Sequence, residues 1–151
     1  MEHIRIETKK PFLEVKAALE ELLPALSSNF RTRLQQGDAA GAASELKELP
    51  DLSIFLTRDH GGLLRIAGQV RNSLQYEIGN PLTASRMTRH NLGASLYAPL
   101  RVALYERQDG TAIFEYDLPS SLFGQFGDER VTEVGRELDH ELGAVLLKAV
   151  A

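Results

Sequence analysis

The clearest candidate for acid–base chemistry is His60, which follows Asp59 and precedes two glycines. A histidine beside a carboxylate suits a general base, and flexible glycines can present it to a substrate. The same four residues are also typical of a turn, in which the glycines supply the backbone conformation and the histidine lies at the surface. Because no nucleophile is identifiable near His60, we favour the turn and keep a small enzyme using His60 and Asp59 as the alternative.

A second run of chemically active residue types is Asp139-His140-Glu141. It lies in a stretch with helical periodicity, where successive side chains point about 100° apart. Three such neighbours cannot converge on one ion, and the other histidines are far apart in the sequence. Cysteine is absent, which excludes thiolate zinc sites and disulfides. We therefore expect neither a metal nor another cofactor.

The third candidate set lies in two alternating stretches, residues 100–106 and 111–117, which flank Asp109-Gly110. An Asp-Gly step between two stretches with strand periodicity predicts a β-hairpin. This hairpin is the most specific local feature of the chain.

Alternation in the hairpin assigns its faces. With Val102 and Leu104 toward the core, Arg101 and Tyr105 face outward, and Tyr116 is placed on or near the same side. Tyrosine and arginine on one face favour a ligand site, an enzyme pair or a protein interface. A cross-strand pair without function is an equal alternative.

Hydrophobic periodicity indicates the elements that position these residues. Residues 3–8 and 74–78 alternate as half-buried strands do, and residues 52–57 form a further short strand. Apolar residues at helical spacing predict an amphipathic helix from residue 12 to about 26 and a long closing helix from about residue 128.

Two connections carry weaker signals. Asn80, in Gly79-Asn80-Pro81, is predicted to cap a helix that runs to about Arg89, although a glycine before a helix start also suits a phosphate. The segment near 27–50 is predicted to be a helical insertion, with Asp38 capping a short helix.

The order of elements predicts an α+β fold of the β-α-β(4)-α type over residues 1–151, as a single domain. A mostly antiparallel sheet would carry the N-terminal helix and the long C-terminal helix on one face. A net charge of −4 argues against nucleic acid as a partner. The first residues lack the apolar core of a signal peptide, and no stretch is long and apolar enough to span a membrane. Together with the absence of cysteine, this leads us to expect a cytoplasmic location.

The chain resembles the domain-of-unknown-function 302 family. The resemblance is carried by Gly79-Asn80-Pro81, by Pro99-Leu100-Arg101-Val102, by Tyr105-Glu106 and by Tyr116-Asp117-Leu118-Pro119. It implies a fold similar to the TATA-binding-protein-like α+β arrangement, often as a homodimer. It implies no activity, because function belongs to sites rather than folds.

Three functions remain open. The leading expectation is a homodimer that binds a small apolar or amphipathic ligand between sheet and helix, with His60, Asn80, Arg101, Tyr105 and Tyr116 as candidate ligand-binding residues. The alternatives are a protein-interaction module that uses the outward sheet face and the small enzyme that uses His60 and Asp59.

Overall fold

Five antiparallel strands form a single sheet with the order β1-β5-β4-β3-β2 in a computed structural model that describes residues 1–151. The sheet together with its helices confirms the predicted α+β class, and the hairpin around Asp109-Gly110 is confirmed as the turn between two paired strands. The strands are β1 (His3–Pro11), β2 (Ser53–Asp59), β3 (Ser73–Gly79), β4 (Leu100–Glu106) and β5 (Thr111–Asp117).

Seven α-helices connect or cover these strands, and short turns of 3₁₀ helix lie at Leu64–Ala67, Leu92–Tyr97 and Gly124–Phe126. No helix combines the length and the hydrophobicity needed to cross a membrane. The helices are α1 (Phe12–Leu22), α2 (Asn29–Gln35), α3 (Ala39–Lys47), α4 (His60–Leu63), α5 (Pro81–Thr88), α6 (Pro119–Phe123) and α7 (Glu129–Val150).

The main core lies between one face of the sheet and the pair α1 and α7, as the apolar periodicity predicted. Leu142 and Leu146 of α7 are fully buried, and so are Leu104 and Phe114 of the sheet. Protein interiors pack about as densely as organic crystals, so these side chains fill the space between the two layers. The centre of this layer is therefore core rather than a binding site.

The segment near 27–50 contains two helices instead of the one that was predicted. Asp38 caps α3 as expected, because its Oδ1 accepts a hydrogen bond from the Gly41 backbone N–H at 2.8 Å. The additional helix is α2, whose buried side chain is Phe30. Its seven residues are mostly polar, so they show no apolar stripe for periodicity to detect.

The junction between β3 and α5 forms as predicted. Asn80 Oδ1 accepts from the backbone N–H groups of Leu82 at 2.9 Å and Thr83 at 3.4 Å. Pro81 occupies the first helical turn, where its missing N–H costs nothing. This junction fixes the direction in which α5 leaves the sheet and so shapes the cavity next to it.

Candidate functional site

A cavity of about 310 Å³ opens at one end of the sheet, where β3 leads into α5 and the chain enters β4. α5 and the residues before β4 form two of its sides, and α2 closes a third. Side chains of β2, α6 and α7 complete the walls. The residues that matter most below are Phe30, Arg31, Phe55, Asn80, Thr83 and Ala84.

Gly79 lies between Pro99 and Phe55 at the rim of this cavity. A Cβ atom at Gly79 would lie 3.5 Å from Pro99 Cβ and 3.7 Å from the Phe55 ring. These are ordinary contact distances, so a methyl group would fit and would occupy part of the space. The Gly-Asn-Pro step and Pro99, which carried the sequence resemblance, thus lie together at the cavity.

Most polar side chains of the cavity are already engaged by the protein. Asn80 caps α5, and its Nδ2 donates to the Asp51 carbonyl oxygen at 3.1 Å. Ser85 Oγ donates to a carbonyl of its own helix at 2.7 Å, and Thr88 Oγ1 does the same at 3.2 Å. Asn80 therefore lines the cavity, but its side chain acts as a cap.

Two polar groups of the cavity have no partner in the protein. The Thr83 hydroxyl makes no hydrogen bond, and the Arg31 guanidinium makes neither a hydrogen bond nor an ion pair. Arg31 lies over the Phe30 ring, with Cζ 5.6 Å from the ring centroid. Arg31 is also the one charged residue that lines the cavity.

His60 does not have the surroundings of a catalytic base. Its side chain is exposed, makes no hydrogen bond and lines none of the larger cavities. Asp59 Oδ1 accepts from the Gly62 backbone N–H at 2.9 Å and so caps α4. Residues 59–62 form the start of a helix, in which the histidine lies at the surface.

The outward placement of Arg101 and Tyr105 agrees with the prediction. Arg101 is exposed and lies opposite Glu77 of β3. The Tyr105 hydroxyl donates to the Glu115 carboxylate, which His3 Nε2 also contacts at 2.8 Å. Hydrogen bonds from Tyr105 and His3 lower the pKa of Glu115. Tyr105 is thus bound within the sheet, and Arg101 and Tyr105 form no common site.

Tyr116 was predicted on or near the outward face, and this is wrong. It lies opposite Val102 in the strand register and faces the core, with 7% of its surface exposed. Burial raises the pKa of the Tyr116 phenol. The alternation that placed Val102 inward applies equally to its cross-strand partner, because directly opposed residues share a face of the sheet.

Most charged side chains on the outward face of the sheet pair with one another, with Arg101 as an exception. Arg58 contacts Glu77 at 2.6 Å and Gln75 at 3.2 Å, and His3 contacts Asp117 at 3.1 Å. Interface cores are depleted in charged residues, so this face lacks the apolar centre of a stable docking surface.

The run Asp139-His140-Glu141 on α7 points in diverging directions. Asp139 Oδ1 accepts from the Ser120 backbone N–H at 2.8 Å and so ties α6 to α7. His140 is exposed, whereas Glu141 is partly buried with Oε2 unpartnered. Burial, followed by the nearby Asp51 carboxylate, raises the pKa of Glu141.

Sequence reasoning missed most of the cavity. Phe30 and Arg31 lie in a helix without a periodic signal, and Phe55 lies at an irregularity in the pairing of β2 with β3. Thr83 and Ala84 carry no motif of their own. One signal was available, because Asn80 and Pro99 belong to the segments that carried the resemblance.

Comparison with known proteins agrees with that resemblance. Residues 39–149 match the family described as Domain of unknown function DUF302. No curated protein matches the chain. The crystal structure of an uncharacterized conserved DUF302 protein from Bacillus stearothermophilus superimposes with a TM-score of 0.71 at 18% sequence identity, over 99% of this chain and 98% of that chain. That similarity shows the fold alone, whereas the sequence match spans most of the chain, and the chain therefore belongs to the DUF302 family.

Proposed function

We propose that the protein binds a small apolar or amphipathic molecule in the cavity at the end of the sheet. The observation that carries the proposal is an open volume of about 310 Å³ with mainly apolar walls. Ligand sites are typically apolar clefts of roughly 300–1,000 Å³ with a few placed polar groups. The free Thr83 hydroxyl and the Arg31 guanidinium fit that description.

The location differs from the one expected from sequence. The ligand was expected between the sheet and the long helix, near Tyr116, but that space is filled by packed side chains. The cavity lies instead beside α5, and α7 contributes Leu138 to its wall. Among the five candidate ligand-binding residues, Asn80 alone lines it.

A cavity-filling variant tests the proposal. Ala84→Leu places a larger side chain at the cavity wall, and Ala17→Leu makes the same change at an exposed position of α1 that lies away from the cavity. Each protein is purified from its own host and examined by native mass spectrometry. We expect a retained small molecule on wild type and on Ala17→Leu, and its loss from Ala84→Leu. A molecule retained equally by all three proteins would refute binding in this cavity.

We also propose that the protein forms a homodimer through the edge of the sheet at β2. β2 is the last strand in the sheet order, and residues 24–26 cover that edge only at Ile54. Residues 56–59 have exposed side chains and no neighbouring strand there. Such an edge is a template for pairing with another chain, and a two-fold axis would pair β2 with β2 of a second copy.

Light scattering tests the dimer. Leu56→Lys adds a charge at the exposed edge, a device that natural edges use against pairing. We expect the wild-type protein at twice the chain mass and Leu56→Lys at the chain mass. A monomeric wild type, or a dimer unaffected by Leu56→Lys, would contradict the β2 interface. The outward sheet face receives less support as an interaction surface, because most of its charged side chains already pair within the chain.

A further inference from the structure

We infer that the molecule bound in this cavity is an apolar anion, of the class of alkyl or aryl carboxylates. This inference rests on the proposed binding function and specifies the charge of the ligand. The inference is based on Arg31, which is the one charged residue of the cavity and has no acidic partner in the chain. An unpaired guanidinium beside an apolar volume selects a ligand that combines a negative group with apolar bulk.

The contrast with Arg33 shows that Arg31 differs from its neighbours. Arg33 lies two residues further along α2 and is bound to Asp38 at 3.3 Å and to Glu45 at 3.1 Å. These pairs hold α2 against α3. Arg31 makes no comparable contact and lies against the Phe30 ring at the cavity instead. Its guanidinium is therefore available to a ligand, whereas that of Arg33 serves the fold.

No acidic side chain lines the cavity, so the charge of Arg31 is not neutralised locally. The first N–H groups of α5 are bound by Asn80, which leaves side chains to recognise a headgroup. Arg31 can donate to a carboxylate oxygen, and the free Thr83 hydroxyl is a second donor at the same cavity. A neutral headgroup would not gain the charge-assisted contact.

The remaining walls suit an apolar tail. Met87 and Phe123 are fully buried, and Leu100 and Leu138 are nearly so. A volume of about 310 Å³ is at the small end of ligand sites, roughly 300–1,000 Å³. A medium-length alkyl chain or a single aromatic ring system fits within this volume, whereas a lipid with two chains does not.

Calorimetric titration with a matched pair of probes tests the inference. Octanoate and octan-1-ol have chains of the same length and differ in the charge of the headgroup. We expect wild type to bind octanoate about tenfold more tightly than octan-1-ol, the size that one charge-assisted contact of an exposed guanidinium gives. Arg31→Gln should reduce octanoate affinity about tenfold and leave octan-1-ol binding unchanged, and Arg31→Lys should retain part of the preference.

The matched control is Arg65→Gln. Arg65 is also an exposed arginine without an ion pair, and it lies in the 3₁₀ turn Leu64–Ala67 rather than at the cavity. Arg65→Gln changes the net charge by the same amount as Arg31→Gln. Because Arg65 lies away from the cavity, its replacement should leave the binding of both probes unchanged. An equal loss of octanoate affinity in Arg31→Gln and Arg65→Gln would indicate long-range attraction and refute a contact with Arg31.

The outcomes separate this inference from the function on which it rests. Equal binding of both probes, unaffected by Arg31→Gln but abolished by Ala84→Leu, would refute the inference that the ligand is an anion. The proposal of an apolar binding site would then still stand. Binding of neither probe would overturn both. A preference for octanoate that Arg31→Gln removes and Arg65→Gln retains supports both.

Discussion

Replacing Gly61 by alanine tests the structural role of the Asp-His-Gly-Gly sequence most sharply. A Cβ atom at Gly61 would lie 2.2 Å from the Arg71 carbonyl oxygen and 2.8 Å from the Ser73 backbone N. Both are backbone atoms, and Ser73 is the first residue of β3. The start of α4 must therefore move away from β3 by about 1 Å to reach an ordinary van der Waals distance.

The size of the effect follows from two opposing terms. Overpacking costs typically about 1–3 kcal/mol, and a clash with backbone belongs at the upper end. Alanine recovers about 1 kcal/mol of helix propensity over glycine. We expect Gly61→Ala to lower the free energy of unfolding by about 2 kcal/mol. For a chain of this length the melting temperature should fall by roughly 4–8 °C.

Urea unfolding of Gly61→Ala, Gly62→Ala and His60→Ala at one protein concentration measures this loss of stability against wild type. Gly62→Ala is the matched control, because its Cβ would meet the end of the flexible Asp59 side chain at 2.8 Å. Loss of that cap costs about 1 kcal/mol and the propensity gain offsets it. His60→Ala at the surface should stay within about 0.5 kcal/mol of wild type. The reasoning would be refuted by a wild-type midpoint for Gly61→Ala, or by a large loss for His60→Ala.

Three further predictions concern charged groups. Asp139→Ala leaves the Ser120 N–H without its acceptor and should cost about 1–2 kcal/mol in urea unfolding; an unchanged midpoint would contradict the tie between α6 and α7. Burial raises the pKa of Glu141 in the folded state, so stability falls as pH rises from the ordinary carboxyl pKa through that raised value. Glu141→Gln should therefore be more stable than wild type at neutral pH but not below the ordinary carboxyl pKa. A constant difference in melting temperature across this pH range would contradict the raised pKa of Glu141. His3 should titrate above its ordinary pKa in NMR spectra because it contacts Glu115, and Glu115→Gln should lower that value; no response would contradict the contact.

The fold was predictable to the extent that each element shows its own pattern. Alternation in residues 100–106 and 111–117, with Asp109-Gly110 between them, determines a hairpin by local chemistry alone. The helix cap at Asn80 and the apolar stripe of the last helix are local in the same way. Nothing local distinguishes α2, since its stability comes from packing Phe30 against the rest of the chain rather than from its own periodicity.

The candidate site was much less predictable, because a cavity is formed by residues that are distant in sequence. Arg31, Phe55, Ala84 and Leu138 come from four different helices and strands and meet only after folding. The residues whose types suggested chemistry lie elsewhere. His60 lies at the exposed start of a helix, and Tyr105 is hydrogen-bonded to Glu115 on the sheet. Residue type identifies possible chemistry, but that chemistry can operate only where the required side chains come together in the folded protein.

The most direct measurement of the central claim is an NMR titration of the isotope-labelled protein with octanoate. Chemical-shift changes report which backbone amides sense the ligand. A small apolar anion in the cavity should shift the amides of Arg31, Phe55, Thr83 and Ala84 with a common saturation curve, and leave those of His60 and Tyr105 in place. Shifts centred on the outward sheet face, scattered over the surface, or absent would contradict an apolar anion site beside α5.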